Sequence, residues 1–484
     1  MTTINTNIGA IAAQANMSKV NDDFNQAMTR LSSGLRINAA KDDAAGMAIA
    51  EKMTAQVMGI NQAVRNATDG KNLLDTTESA HVEVSNMLQR MRELAVQSSN
   101  DTNTGSDRGN ITAESRQLVA EINRIAENTT FNGMKVMDGS FNGKQFQIGA
   151  DNGQTLNISI DSAAATDIGA FKVQSKVLTK ATAGEDLVIS GHAGNSNITT
   201  TAGMSAKDLA AKVNAASAQT GVQATAVSKA SLSGLTEKGK VSFEINGQSI
   251  GTVAISDKTD LRSLRDAINT KTTSTGVTAS MGSTNGEITL TDSTGKNIAI
   301  TNFTSTDAET AGGAELDVTG LETDGTAASG PVTLDGTTSD ATVTGQVTFA
   351  STQTFSVNSS STTDTTEAFF SDKANASELS QVAEIDLSTA EGAAEAITVI
   401  DVALQKISQA RGNLGAMSNR LDSTISNLTN ISVSVQAAKS QVVDADFAAE
   451  STQLARGQIL SQAATAMLAQ ANSSKQNVMS LLRG

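Results

Sequence analysis

The sequence predicts a mixed fold: long α-helical coiled-coil arms built from both termini, a small β-hairpin beside them, and a central α+β, β-rich insertion. Three observations carry this reading. A heptad runs from Ile400 to Val435, and eight of its eleven seam positions (Ile400, Leu404, Ile407, Leu414, Leu421, Ile425, Leu428 and Val435, interrupted by Arg411, Ser418 and Ser432) are aliphatic. Comparable stripes fill the first 130 residues, and beyond about residue 170 the texture turns Thr/Ser/Gly-rich with short alternating runs. One helix over 400–435 would be roughly 54 Å long at 1.5 Å per residue, longer than a compact domain needs. It must bury its stripe against other helices, and those lie at the opposite end of the chain.

The N-terminal stripe begins at Ile4, Ile8, Ile11 and Ala15, skips phase, and resumes at Met17, Val20, Phe24, Ala27 and Leu31. Asn5, Asn7, Asn16, Asn21 and Asn25 are poor helix formers, so this helix is marginal alone and folds best against a partner stripe. A membrane-surface helix would carry a Lys/Arg-rich face and aromatic anchors; Lys19, Arg30 and Arg36, opposed by Asp22 and Asp23, favour helix packing instead.

Gly34 breaks the pattern, and Asp42 or Asp43 can cap the next helix. Its stripe runs through Ile49, Met53, Val57, Ile60 and Val64, then past Gly70 through Val84, Met87, Met91 and Leu94. The polar run Asn100–Asn110 ends that rod, and a third helix is expected at about 112–128 with Leu118, Ile122 and Ile125 inward. Lys144–Ile148 and Thr155–Ile160 flank Asp151-Asn152-Gly153, which reads as a hairpin with an Asn-Gly turn.

The insertion contains a repeat: Leu209–Val222 aligns without gaps to Leu264–Val277, each copy between strand-like runs and so resembling a small β-α-β unit. Its later part is acidic, with Lys373 the single base in 301–384, and no D-x-[DN]-x-[DN]-G loop is present, so a solvated outer surface is expected and not a calcium site. After the 400–435 rod a last, weak stripe passes through Leu460, Ala464, Met467, Ala471, Val478 and Leu481.

Composition excludes several functions. With 12 Phe, no Trp and no Tyr, base-stacking platforms are nearly absent, and a net charge of −15 opposes phosphate binding, so no nucleic-acid partner is expected. The absence of Cys removes disulfides and thiolate sites. The N-terminus lacks a basic n-region and an apolar core, so export without a cleaved signal peptide is expected, and no apolar run is long enough for membrane insertion.

LSSGLRINAAKDDAAGMAIAEKM, LLDTTESAHVEVSNMLQRMRELAVQ and FNGMKVMDGSF resemble the N-terminal region of bacterial flagellins. ARGNLGAMSNRLDSTISNLTN, VVDADFAAES and ILSQAATAMLAQANSSKQNVMSLLRG resemble the C-terminal counterpart, with Phe447 where the family often has Tyr. EINGQSI with LRDAINTKTTSTGV is similar to an insertion repeat of some flagellins.

The resemblance implies a filament subunit for motility. Residues 1–43 and 444–484 would form an inner tube (Ile4, Ile8, Ile11, Val20, Phe24, Leu31, Leu460, Met467, Val478, Leu481 and Leu482 packing there). Residues 44–170 and 385–443 would form an outer tube, with Ile49, Val57, Ile60, Val64, Met91, Ile400, Leu404, Ile407, Leu414, Leu421, Ile425 and Leu428 in an intrachain bundle, and 171–384 would project outward. It further implies type III export to the outside of the cell, with an export chaperone, a cap protein and hook-associated proteins as partners besides further copies of the chain. Gln89, Arg90, Arg92, Glu93, Leu94, Gln97 and Glu114 match the segment that vertebrate Toll-like receptor 5 recognises, and Val478, Leu481 and Leu482 resemble residues sensed by intracellular inflammasome receptors.

A hook-filament junction protein shares the terminal helices, and a secreted coiled-coil adhesin or effector would place function in the acidic repeats; the long C-terminal match and the large insertion favour the filament subunit. Some relatives carry a zinc protease in the projecting region. Here His81 and His192 are the only histidines and no H-E-x-x-H occurs, so no enzyme, metal or cofactor is expected, and His81 reads as a partly exposed packing residue.

Overall fold

A computed structural model describes residues 6–180, 182, 184–306, 313–328, 330–335, 337–359, 368–370 and 372–481, with side chains to 474. Seven helices of eight residues or more are found among them: α1 (Ile8–Ser33), α2 (Ala44–Ser98), α3 (Gly105–Asn128), α4 (Ala206–Ala215), α5 (Arg262–Asn269), α6 (Ala390–Val443) and α7 (Phe447–Leu481). The chain forms two compact units, one drawn from Met1–Leu74, Gly143–Ile158 and Ala416–Gly484, the other from Asp75–Asn142 and Ser159–Gly415.

In the first unit α1 and α7 pair antiparallel: the Asn7 amide donates to the Ala471 carbonyl at 3.4 Å, and Arg30 reaches Glu450 at 3.2 Å. The pair closes through an antiparallel bridge between Leu35 and Asp444, flanked by Arg36 N–H to the Val443 carbonyl at 2.6 Å and Ala445 N–H to the Gly34 carbonyl at 3.0 Å. The same unit packs Ile60, Ala63 and Val64 of α2 against Leu428 of α6. Gly70 lies within α2 without breaking it, packed near Phe146 and Leu421.

The hairpin pairs Lys144–Gln147 with Thr155–Ile158, Gln147 facing Thr155. Its connection runs from 148 to 154, closed by Ile148 N–H to the Gln154 carbonyl at 3.0 Å, and within it Gln154 N–H reaches the Asp151 carbonyl at 3.4 Å across the expected Asn152-Gly153 turn. Asn66 of α2 anchors it by donating to the Gln147 carbonyl at 2.9 Å.

The second unit contains the rest of α2 and α6 with α3 and the insertion. Leu88, Met91, Leu94, Ile122 and Ile400 are fully buried, each contributing about 1.5–3 kcal/mol from removal of its side chain from water. Helix α3 starts earlier than expected, because Thr104 and Asp107 form a reciprocal capping box.

The insertion builds antiparallel sheets around two apolar cores. One contains Leu187, Ile189, Leu209, Val213, Val222 and Phe349, the other Val241, Phe243, Leu264, Ile268, Val277 and Leu290. These cores confirm the repeat, since Leu209, Val213 and Val222 correspond to Leu264, Ile268 and Val277. Asn214 clamps the backbone of Ala224 with two 2.8 Å hydrogen bonds, and Asn269 clamps Ala279 in the same way. The units are not parallel β-α-β crossovers. Asp186–Gly191 pairs with Gly194–Thr199 in one sheet, while Gln223–Ser233 joins another, and every pairing among the described residues is antiparallel.

Candidate functional site

No cluster of three or more His, Cys, Asp or Glu able to hold a metal occurs among the described residues. His81 is 1% exposed, not partly exposed, and its Nδ1 lies 2.9 Å from the Thr77 carbonyl one turn back. Burial pushes its pKa below 6.5 and disfavours the charged imidazolium. The surfaces with functional character are the helical faces.

On α1 the residues turned toward α7 are Met17, Val20, Phe24, Ala27 and Leu31, as the second half of the stripe predicts. In the first half, Ile8 is 65% and Ile11 57% exposed in the single chain, while Asn7, Ala10 and Ala13 are partly covered. On α7 the partly covered face is Leu454, Gly457, Ser461, Ala464, Leu468 and Ala471, whereas Leu460 and Met467 are 43% and 65% exposed. The helices approach closely at Gly457, where a Cβ would meet the Phe24 Cβ at 3.3 Å. Ile4 and Leu482, and the side chains of Val478 and Leu481, lie outside the described residues.

The terminal pair therefore covers Met17, Val20, Phe24, Leu31, Leu454 and Leu468 along with smaller residues and leaves several other large side chains open. Ile459 and Met28 are 67% and 51% exposed, and Phe447 is 70% exposed. In the same unit Met58 on α2 and Val433 on α6 are similarly open. Ile49 belongs with them at 49% exposure, against the expectation that it faces the bundle; Ala50 takes the inward position. Sequence reasoning missed Met28, Met58, Val433 and Ile459 because each lies off the stripe being followed. The available signal was an excess of apolar residues beyond what one packing stripe requires.

Of the remaining bundle residues of the first unit, Leu421 and Leu428 are buried and Val57, Val64 and Ile425 half-buried; in the second, Met91, Ile400, Ile407 and Leu414 are buried and Leu404 half-buried. Two polar interruptions of the heptad have intrachain partners. Arg411 binds Glu78 at 2.9 Å in the second unit, and Ser432 donates to Asn61 at 3.3 Å in the first.

The segment 89–97 presents Gln89, Arg90, Arg92, Glu93 and Gln97 outward, with Glu114 of α3 beside them. Arg90 bridges Glu93 and Glu114, both at 2.9 Å, and hydrogen bonds to Glu93 first and Glu114 second hold its pKa up. Arg92 pairs with Asp401 of α6 at 2.5 Å. Leu94 differs from its neighbours: at 1% exposure it is core, and its side chain is not offered to any partner.

Long helices that pack through both chain ends, with a terminal pair that leaves several large apolar side chains open, define a structural subunit that completes its packing by assembly. The bacterial flagellin N-terminal helical region matches residues 4–142, the bacterial flagellin C-terminal helical region matches 397–482, and the flagellin hook IN motif matches 186–236 and 242–294. The chain is 40% identical to the B-type flagellin of Pseudomonas aeruginosa, over 99% of each chain, and 34% identical to the flagellin of Salmonella typhimurium, again over 99% of each. Among solved structures, FliC from Burkholderia pseudomallei aligns at 20% identity with a TM-score of 0.29, covering 72% of this chain and 99% of that one. The chain belongs to the bacterial flagellin family. It is a structural subunit of the flagellar filament, a component that polymerises with its own copies.

Proposed function

We propose that α1 and α7, within residues 1–43 and 444–484, form the inner tube of the filament, that 44–170 and 385–443 form the outer tube, and that 171–384 project from it. The observation that carries this is the open apolar surface of the terminal pair, with Ile8, Ile11, Ile459 and Met467 each more than half exposed in the single chain. Covering such side chains stabilises assembly by about 25 cal/mol per Å² of apolar surface removed from water. A contact that does not close on itself then propagates into a filament.

The same reading extends to partners and place. Subunits pass outside the cell through a type III route without a cleaved signal peptide, held by an export chaperone and added beneath a cap, beyond hook-associated proteins. No helix among the described residues is long and apolar enough to cross a membrane. The role is structural and not enzymatic. The exposed Arg90, Glu93, Gln89, Gln97 and Glu114 surface, with Arg92, supports recognition by vertebrate Toll-like receptor 5. A hook-filament junction protein is the weaker reading, because full-length identity runs to filament flagellins.

Addition of subunits to sheared filament fragments, followed by electron microscopy, tests the assembly reading: fragments lengthen. Fragments of unchanged length at high subunit concentration contradict it.

A further inference from the structure

We infer that Met28, Met58 and Met467 make the free subunit sensitive to oxidation, so that peroxide converts an assembling chain into one that cannot be added. This rests on the assembly reading above.

The chain is well suited to such selectivity. It has no Cys, Trp or Tyr, so the thioethers of its 15 Met are the principal two-electron oxidation targets. Those thioethers are not equivalent. Met28, Met58 and Met467 are 51%, 67% and 65% exposed, whereas Met91 and Met137 are fully buried. These three, the thioethers more than half exposed among the described side chains, all lie in the first unit, among the open apolar residues Ile8, Ile11, Ile49, Val433, Ile459 and Leu460, whereas Met134, 43% exposed, lies in the second.

The chemistry is balanced with hydrogen peroxide as oxidant. The sulfur lone pair attacks one peroxide oxygen, the O–O bond breaks, an S–O bond forms, and water leaves after proton transfer. Sulfur loses two electrons and the peroxide oxygens gain them. The product replaces a flexible apolar tip by a strongly polar one. Burying that group at a new contact without a donor is unfavourable, so each sulfoxide slows subunit addition. In the filament the same side chains are covered, which slows their oxidation. Methionine sulfoxide reductases reverse the product, so the block is reversible in principle.

The test treats free subunits and preformed filaments with the same limited peroxide dose, maps sulfoxides by peptide mass spectrometry, and measures elongation from filament fragments. The expected result is sulfoxide at the three positions in free subunits, less in filaments, and elongation slowed about tenfold or more. Unincorporated subunits are expected to be enriched in sulfoxide at these positions relative to incorporated ones. Replacement by leucine, which preserves apolar volume, is expected to restore elongation after peroxide.

Oxidised subunits that elongate at the untreated rate overturn the inference. Equal sulfoxide content in incorporated and free subunits overturns it as well, and this readout needs no variant. Untreated subunits that fail to elongate overturn the assembly reading itself, and this inference with it.

Discussion

His81 shows how burial turns a residue into a pH-dependent element of the fold. Its pKa in the folded chain lies below the ordinary 6.5, chiefly from desolvation. The unfolded chain therefore binds more protons just below that value, and the stability contribution is complete above about pH 6.5 and lost as pH falls through it toward the folded pKa. Thermal stability is expected to fall from about pH 7 to 5, and His81→Leu to flatten that dependence. Glu185 acts in the opposite sense, because burial raises its pKa, so the difference between wild type and variant isolates the imidazole. Leu94 and Arg90 form a second contrast. Leu94→Ala empties a fully buried site and is expected to lower stability by about 2–5 kcal/mol in denaturant unfolding. Arg90→Ala, on an exposed side chain, is expected to leave unfolding nearly unchanged while weakening receptor activation in a reporter-cell assay. Unchanged activation by Arg90→Ala contradicts the receptor surface.

At the scale of elements, much was legible in the sequence. The 400–435 heptad marked α6, and the Met17–Leu31 stripe marked the inner face of α1. Hydrophobic period reports that a face will be buried, and not by what. Ile8 and Ile11 follow the same spacing as residues that pack within the chain, yet they are open in the single chain, while Asn7, Ala10 and Ala13 are partly covered. Leu460 and Met467 repeat this on α7. The hairpin was legible because alternation marked both strands and Asn152-Gly153 the turn between them, while its register is set by the ladder from Lys144 opposite Ile158. The repeat was visible from its aligned Leu, Asn and Val, but its sheet partners come from distant sequence and leave no local mark. Close packing of α1 on α7 carries a prediction of its own. Gly457→Leu places a side chain where Phe24 already sits, and is expected to lower helicity by circular dichroism and slow elongation severalfold; normal elongation contradicts the role given to this contact.

At the scale of the molecule, the two chain ends meet in one unit while most of the insertion folds around its own cores. This division explains how a flagellin can combine a dependent terminal pair with an independently packed middle. The central claim is that the terminal pair is assembly machinery and not a requirement for folding of the insertion. Seeded elongation of a chain lacking residues 1–30, with thermal unfolding of its central region recorded alongside, tests this most directly. The account predicts no filament growth and an unchanged unfolding transition of the central region. Growth of the truncated chain at the wild-type rate would contradict it.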